Sequence, residues 1–230
     1  MLKIVFLCSG GGGNLRFIEG AIHLGWIKNA IISGVITDRE CLATQFANER
    51  KIWTKTLNFS EDGQVNVLQE LHRLSPDIII TNVHKILSPS VVDSFRGKLV
   101  NLHYSLLPSF GAVIGTKAID LALAYGVKFL GTTAHLVDIL VDTGKPLVQT
   151  IIPIEDGDTT ESLTDITFRC GCLALLQSIQ ILRKNETSER SNERYSYLEL
   201  SGRKVSINPP TENFSGIETE SFWQQLKSYK

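Results

Sequence analysis

The chain has 230 residues, with 23 basic and 24 acidic side chains and a formal net charge of −1. This length can bury a sizeable core in one domain and leaves room for a small appendage. The near-neutral charge gives no reason to expect a nucleic acid or an anionic membrane as partner, and no apolar stretch approaches the roughly 20 residues of a membrane helix.

Strand-like and helix-like segments alternate along most of the chain. Apolar strand candidates are 3–8, 30–37, 77–81, 98–102, 129–137 and 147–154. Helical patterns are 14–24, 43–50, 65–73, 88–95, 116–125 and a longer one at 160–182. Continuous apolar strands that alternate with helices are typical of a parallel sheet covered on both faces. We therefore predict the α/β class, with a doubly wound, mainly parallel, Rossmann-like sheet.

The last part of the chain is predicted to be a small C-terminal extension. A polar, charged run suggests a linker, and a hairpin and an amphipathic helix follow it. The predicted division is a catalytic domain over 1–184, a linker over 185–194 and an extension over 195–230. Phe222 and Trp223 in the last helix would seal the domain or meet a second subunit, so a homodimer stays an alternative.

The start of the chain and its cysteines favour a cytoplasmic protein. Residues 1–8 resemble a buried strand that leads into glycines, unlike a signal peptide. Cys8, Cys41, Cys170 and Cys172 lack the spacing of metal ligands or redox pairs. We expect reduced, mostly buried thiols and no metal site.

A glycine-rich segment, Ser9-Gly10-Gly11-Gly12-Gly13-Asn14, joins the first predicted strand to the first helix. Backbone amides there can approach an anion closely because no Cβ intrudes, and the helix amino end adds favourable partial charge. The segment is neither a dinucleotide fingerprint nor a P-loop. A tight turn is the alternative, but it would not require four glycines. We predict a phosphate site at Gly11, Gly12, Gly13 and Asn14.

Asn101 and His103 stand two residues apart where the fourth predicted strand ends. Side chains two apart in a strand point to the same face, and the turn at Leu106-Leu107-Pro108 follows directly. Open α/β sheets bind ligands at this edge, which makes it a candidate site. Each residue also has an ordinary interpretation, His103 as a hydrogen-bonded strand-end histidine and Asn101 as a turn former.

Several separated motifs occur in an order that resembles the glycinamide ribonucleotide transformylase family, from Lys3 to about Ile181. The segments that carry the resemblance are Ser9-Gly10 with Asn14-Leu15, Lys85 to Pro89, Asn101-Leu102-His103, Ser105 to Pro108, Gly131 to His135, and Asp142-Thr143-Gly144 with Gln149. The resemblance implies an enzyme of purine biosynthesis that moves a formyl group from 10-formyltetrahydrofolate to the amine of a small phosphorylated acceptor.

The resemblance also implies Asn101, His103 and Asp142 as the catalytic trio. An amide donor and a cationic imidazole would stabilise the negative charge that develops on the formyl oxygen. Asp142 beside His103 would favour the imidazolium and could take a proton from the attacking amine. His135 is expected to support the site or to pack in the core.

The same resemblance implies that the pterin of the folate lies along Lys85, Ile86 and Leu87. Val92 would lie below the ring and the loop over 137–142 above it, with Val137, Asp138 and Val141 as contacts. A flat heteroaromatic ring needs such apolar walls together with backbone hydrogen-bonding groups. Ordinary core packing explains these residues almost as well.

The acceptor side departs from the family pattern. Tyr104 replaces a proline after the histidine, and Phe168 and Gly171 replace a glutamine and a glutamate of the long helix. Nucleotide-linked amino sugars are therefore an alternative acceptor, although the Arg-Gly element of many sugar formyltransferases is missing. Hydrolysis of formyltetrahydrofolate is a second alternative, and a non-catalytic binding protein ranks last.

Overall fold

The computed structural model describes residues 1–60, 62–183, 195–210, 216–217 and 219–228. They divide into two compact units. Unit 1 comprises Met1–Asn101 with Leu136–Val141, and unit 2 comprises Leu102–His135 with Asp142–Lys230. The predicted linker over 185–194 lies outside the described residues, and the predicted domain division stays a prediction.

Unit 1 alternates strands and helices around a parallel sheet. Its elements are β1 (Leu2–Cys8), α1 (Gly13–His23), β2 (Ala30–Thr37), α2 (Leu42–Glu49), β3 (Thr54–Thr56), α3 (Gln64–Leu74), β4 (Ile78–Asn82), α4 (Pro89–Ser94) and β5 (Leu99–His103), whose last two residues belong to unit 2. The strand order is β3-β2-β1-β4-β5, and each neighbouring pair is parallel. The short β3 was not predicted, since three residues carry no apolar run.

The burial of β1 explains its continuous apolar sequence. Ile4 through Leu7 are fully buried, and β1 is an interior strand that pairs with β2 along one edge and with β4 along the other. A strand covered on both faces needs apolar side chains at every position. One core cluster joins β1 to α3 and α4 through Val5, Leu71 and Val91.

Unit 2 contains antiparallel strands instead. Its elements are α5 (Lys117–Tyr125), β6 (Phe129–Leu136, the last residue in unit 1), β7 (Pro146–Pro153), α6 (Thr160–Arg183), β8 (Ser196–Leu200), β9 (Arg203–Asn208) and α7 (Glu220–Ser228). The strands pair in the order β6-β7-β9-β8, all antiparallel. The connection from Val137 to Lys145 is shorter than the crossover of about a dozen residues that a parallel pair needs.

The described part of the C-terminal extension is joined to the rest of unit 2 by strand pairing and ion pairs. β9 pairs with β7, and Arg203 donates two hydrogen bonds to Asp158 at 2.6 and 2.8 Å. Arg169 of α6 is almost fully buried and donates to both carboxylate oxygens of Glu220 in α7. The predicted hairpin is confirmed, and so is the predicted α/β class with its mainly parallel, Rossmann-like core.

The cysteines match the expectation of reduced, mostly buried thiols. Cys8, Cys170 and Cys172 are buried and Cys41 is half-buried, all with free thiols. Burial raises the pKa of Cys170 to about 12, so this thiol stays protonated at neutral pH. Across the described stretches, no helix has both the length and the apolar character required to cross a membrane.

Candidate functional site

His103, at the end of β5, contacts an acceptor group through each of its ring nitrogens. The side chain is 7% exposed; its Nε2 lies 2.9 Å from the carbonyl oxygen of Phe110, and its Nδ1 lies 3.3 Å from Oδ2 of Asp142. A carbonyl and an ionised carboxylate can only accept hydrogen bonds. The surroundings of His103 therefore offer a hydrogen-bond acceptor beside each ring nitrogen.

Asp142 is held between three polar groups of unit 2. The backbone N–H of Ala112 donates to Oδ2 at 2.8 Å, and Nε2 of His135 lies 3.6 Å from Oδ1. The neighbouring His135 is the largest influence that lowers the pKa of Asp142; the Ala112 N–H and the charge of His103 act in the same direction, while burial opposes them. Asp142 is therefore a carboxylate at neutral pH.

The backbone that surrounds this pair is strained. Asp142 has a φ of 57°, and Phe110 and Ala112 have φ values of 54° and 60°. Left-handed conformations are tolerated by aspartate but are costly for phenylalanine and alanine, and such strain concentrates at functional sites. The two strained residues are the ones whose backbone groups contact His103 and Asp142.

Two polar side chains of the β6–β7 pair hold the turn that follows β5. Thr133 donates from its hydroxyl to the carbonyl of Ser105 at 2.8 Å and accepts from the N–H of Leu107 at 3.0 Å. Gln149 lies opposite Thr133 in the strand register and donates to the carbonyl of Leu107 at 3.2 Å. These bonds give the Gly131–His135 motif and Gln149 a structural role, because they fix the chain immediately after His103.

Gly131 is required at its position by close packing. A Cβ atom there would lie 2.6 Å from Cδ2 of Leu106 and would also meet the carbonyl oxygen of Thr150. Leu106 belongs to the same turn that Thr133 holds. The first residue of the motif therefore lets that turn approach β6.

Asn101 does not present its amide donor as predicted. Its Nδ2 donates to the carbonyl oxygen of Thr81 at 2.6 Å and approaches the Thr81 hydroxyl at 3.0 Å. The reversed amide would place Oδ1 against that carbonyl, so the assignment follows from the chemistry of the partners. The expectation of a free donor at Asn101 is corrected, since Thr81 is its register partner in β4 and engages both hydrogens.

The predicted phosphate residues form the β1–α1 connection of unit 1. Gly12 has a φ of 69°, and a Cβ there would lie 3.0 Å from Ala43, so the backbone itself demands glycine. A Cβ at Gly10 or Gly11 would meet nothing within 4 Å. Neither a positive φ nor close packing requires glycine at these two positions. Gly13 begins α1, and Asn14 is buried in its first turn.

The predicted pterin residues are split between core and surface of unit 1. Leu87 and Val92 belong to the main core cluster, and Val137 packs against that cluster. Ile86 is 71% exposed, and Lys85 is also exposed. The ordinary packing role thus holds for Leu87 and Val92, which support the segment from within, while Ile86 is the apolar side chain that faces outward.

The loop over 137–141 exposes apolar side chains. Ile139, Leu140 and Val141 are 46%, 69% and 46% exposed. Asp138 lies 3.5 Å from Arg96 of the same unit, and its carboxylate accepts the N–H of Ile139 at 2.8 Å. These three consecutive residues form an exposed apolar patch on unit 1.

Gln64 organises the segment that carries Ile86, and sequence reasoning did not single it out. Its amide nitrogen donates to the carbonyl of Ile86 at 3.0 Å, and its amide oxygen accepts from the N–H of Ser88 at 2.6 Å. The side chain is 4% exposed. The signal that could have found it is a glutamine on the buried face of an amphipathic helix, since buried amides are hydrogen-bonded.

A cleft of about 440 Å³ lies against α6 in unit 2. We call it the α6 cleft, and its lining residues are Tyr104, Thr116, Glu161, Thr164, Asp165 and Phe168. A Cβ at Gly171 would lie 2.7 Å from Cδ2 of Leu102 and 3.3 Å from Cε1 of Tyr104. Leu102 and Tyr104 therefore pack where a side chain at 171 would stand, and Tyr104 shares the lining of the cleft with Phe168.

Comparison with known proteins places these features in a family. Residues 2–196 match the family described as Formyl transferase. A phosphoribosylglycinamide formyltransferase of Mycobacterium tuberculosis is 35% identical over 169 residues, which cover 70% of this chain and 75% of that protein. The structure of glycinamide ribonucleotide transformylase 1 from Symbiobacterium toebii is similar with a TM-score of 0.74 and 25% identity, over 90% of this chain and 94% of that one.

A third similarity concerns the fold alone. The structure of a formyltetrahydrofolate deformylase from Pseudomonas syringae matches with a TM-score of 0.71 and 20% identity, over 89% of this chain and 66% of that one. The family resemblance read from the motifs is confirmed by the profile match and by the relatives. On these grounds, the chain belongs to the formyl transferase family.

Proposed function

We propose that the chain transfers the formyl group of 10-formyltetrahydrofolate to a primary amine of a small phosphorylated acceptor. The observation that carries the proposal is the His103–Asp142 contact at 3.3 Å, next to a loop that constrains both residues. The names of the relatives make glycinamide ribonucleotide the first acceptor to test.

The His103–Asp142 pair supplies the charge that the reaction needs. Bound 10-formyltetrahydrofolate would provide the formyl carbon that the amine attacks. As the carbon–nitrogen bond to the acceptor forms, the formyl oxygen gains negative charge, and the His103 imidazolium would stabilise it. Nε2 lies beside the Phe110 carbonyl and Nδ1 lies beside Asp142, so one of these two contacts must open for the formyl oxygen to bind His103.

We assign the proton transfer to Asp142. The attacking amine must lose a proton and the folate N10 must gain one when its bond to the formyl carbon breaks. The Asp142 carboxylate, which lies directly beside the imidazole, can accept the first proton and return it, directly or through water. No net proton is consumed in this exchange.

Asn101 completes the proposed trio with its amide oxygen. Because Nδ2 is bonded to Thr81, Oδ1 is the end that can accept a hydrogen from the amine. Such a contact would orient the nitrogen lone pair toward the formyl carbon. The two-residue separation of Asn101 and His103 within β5 supports a joint role.

The ligand-binding surfaces of unit 1 fit the two substrates by chemistry. Ile86 and the apolar loop over 139–141 offer exposed side chains to a flat ring. The other residues predicted for the folate lie beside them in sequence or in the core: Lys85, Leu87, Val92, Val137 and Asp138. The glycine segment over 11–14 offers backbone N–H groups at the start of α1 to a phosphate. We propose the folate at the first surface and the acceptor phosphate at the second.

The test is folate turnover with and without amines. Purified protein is incubated with 10-formyltetrahydrofolate alone, then with glycinamide ribonucleotide, then with nucleotide-linked amino sugars, and released tetrahydrofolate and formylated amine are quantified. Equal amounts of both products, formed only when an amine is present, are expected. Release without amine would make the protein a hydrolase, and no release under any condition would overturn the proposal.

A further inference from the structure

The two ring nitrogens of His103 face groups that unit 2 holds in different ways. The Asp142 carboxylate, beside Nδ1, accepts the N–H of Ala112 at 2.8 Å, and its other oxygen lies 3.6 Å from Nε2 of His135. His135 is 2% exposed, so this side of the carboxylate rests on a buried residue. The Phe110 carbonyl, 2.9 Å from Nε2, belongs to a half-buried residue of a loop. Of the two contacts, the one with Phe110 is the easier to open.

Phe110 holds its carbonyl in this place at a conformational cost. Its φ of 54° lies in the left-handed region, where the Cβ of a residue other than glycine crowds the following carbonyl oxygen. Ala112, two residues further on, has a φ of 60°. Strained backbone persists only where surrounding contacts hold it. The loop conformation therefore depends on contacts that offset this strain.

The ring of Phe110 makes one such contact, with Tyr125. The two ring centroids lie 6.4 Å apart and the ring planes are 77° apart, which is an edge-to-face arrangement. Tyr125 is the last residue of α5 and is 83% exposed, so it adds little to the core. The buried residues that anchor this helix are Ala118, Ile119 and Ala122. The ring of Tyr125 thus fastens a strained loop residue to an anchored helix.

We propose that Tyr125 is a positioning residue that controls the access of the formyl donor to His103. We call the contact between the Phe110 carbonyl and Nε2 of His103 the Phe110 gate. While the Phe110–Tyr125 ring contact keeps the gate closed, the carbonyl stands where the formyl oxygen would bind Nε2. When the ring contact breaks, the strained loop relaxes and the carbonyl leaves Nε2. This inference rests on the proposed function, because it takes 10-formyltetrahydrofolate as the ligand that competes with the carbonyl.

The Phe110 gate has a consequence that a purely structural role of Tyr125 would not have. When only a fraction of a protein is competent to bind, the apparent affinity for the ligand is reduced by that fraction. The gate is closed in this structure, so a change that weakens the ring contact raises the open fraction. Loss of the contact should therefore strengthen donor binding, whereas damage to the fold would weaken it.

The test combines enzyme kinetics with a measurement on the free protein. The variants are Tyr125→Ala, which removes one ring, Phe110→Leu, which removes the other, the double variant, and Tyr125→Phe, which keeps the ring. Tyr197→Ala, which removes an exposed tyrosine of β8, is the matched control. Kinetics with 10-formyltetrahydrofolate and the amine that supports turnover give the donor KM and kcat. Long-range proton–nitrogen NMR of the free protein follows Nε2 of His103, whose signal is assigned from a His103→Asn variant.

The expected pattern follows from one shared contact. Tyr125→Ala and Phe110→Leu each lower the donor KM roughly threefold and keep kcat within about twofold of the wild type. The double variant shows the same fall of roughly threefold, because both substitutions remove a single interaction. Tyr125→Phe and Tyr197→Ala keep the wild-type KM. The Nε2 resonance of His103 moves in Tyr125→Ala and Phe110→Leu and stays in place in Tyr125→Phe and Tyr197→Ala.

Three results would overturn the gate: a donor KM that is unchanged or higher in Tyr125→Ala, a fall of roughly ninefold in the double variant, which would show independent effects, or an Nε2 resonance that does not move. The NMR measurement needs no turnover, so it keeps the two proposals apart. A shifted resonance in a protein that transfers no formyl group refutes the proposed function and retains the coupling of Tyr125 to His103. Formyl transfer with an unchanged donor KM and an unchanged resonance refutes the gate and retains the function.

Discussion

Nδ1 of His103 and Oδ2 of Asp142 lie 3.3 Å apart, and Oδ2 also accepts the backbone N–H of Ala112. One carboxylate oxygen thus links the imidazole of β5 to the strained segment after the turn. The negative charge of Asp142 would stabilise a protonated His103, whereas its oxygen accepts the hydrogen bond that holds Ala112 in the loop. Replacement by an amide separates these two roles.

Asp142→Asn is expected to lower kcat by roughly 100-fold or more while the protein stays folded. Asparagine keeps an acceptor oxygen for Ala112 and tolerates the left-handed backbone, but it neither stabilises the imidazolium nor takes a proton. Steady-state kinetics and a thermal unfolding curve check this. Asp120→Asn, on the exposed side of α5, is the control and should keep the wild-type rate. A near-normal kcat in Asp142→Asn would remove Asp142 from the mechanism.

Gln64→Ala is expected to raise the KM for the folate by roughly tenfold and to change kcat little. Gln64 touches no reacting atom; it positions the segment of Ile86 through bonds to Ile86 and Ser88. Loss of both bonds lets that segment move and weakens ground-state binding, with a cost of about 1 kcal/mol for each bond.

Gln69→Ala, on the exposed side of the same helix, is the matched control for Gln64. A merely structural role would lower the melting temperature without the selective rise in the folate KM. Equal KM values for wild type and Gln64→Ala would therefore refute the positioning role.

Asp158→Asn is expected to lower the free energy of unfolding at neutral pH by about 2 kcal/mol, because charged hydrogen bonds to Arg203 are lost. The hydrogen bonds from Arg203 lower the pKa of Asp158 to about 2, from an ordinary value of 3.8. A carboxyl whose pKa is lower in the folded state stabilises fully above 3.8, and this contribution disappears as the pH falls toward about 2.

Urea unfolding of wild type and Asp158→Asn, from neutral pH down to about pH 2, measures this dependence. The difference between the two proteins should be constant above the ordinary value and shrink below it. Asp156→Asn, an exposed neighbour in the same loop, should show no such difference. A gap that persists undiminished at the lowest pH would contradict the assignment.

Gly131→Ala is expected to destabilise the protein by at least about 2 kcal/mol, since the added methyl group must displace Leu106 and the β7 backbone. Gly20→Ala is the opposite case: a Cβ there meets nothing within 4 Å, and alanine favours the helix by up to about 1 kcal/mol. Thermal unfolding of both variants should show shifts of opposite sign. A stable Gly131→Ala would mean that the turn after His103 can move away from β6 without cost.

Structural features that depend on local sequence could be predicted, whereas the pairing of distant segments could not. The burial of β1 on both faces follows from its unbroken apolar run, and the edge position of His103 follows from the turn after β5. The Asn101 donor was misjudged because its partner, Thr81, is set by the β4–β5 register, which the sequence does not encode visibly. The antiparallel β6–β7 pair was not predicted, although the connection between the two strands is too short for a parallel crossover.

Sequence patterns also could not predict whether the side chain of a single apolar residue is exposed or buried in the core. Ile86 and Leu87 are adjacent and both apolar, yet one is exposed and the other lies in the core cluster. Gln64, a residue on another element, donates a hydrogen bond to the Ile86 carbonyl and accepts one from the Ser88 N–H, and these bonds hold the segment. Tertiary hydrogen bonds of this kind fix the conformation of a loop, but they leave no periodic pattern in the sequence.

The packing of Tyr104 against Gly171 constrains how this chain can change over evolutionary time. A glutamate introduced at 171 by itself would collide with a leucine methyl group and a tyrosine ring, so a larger side chain there requires simultaneous replacement of its neighbours. Positions 102, 104 and 171 should accordingly vary as a set among descendants of this lineage, with a bulky helix residue found only beside a small neighbour on the strand.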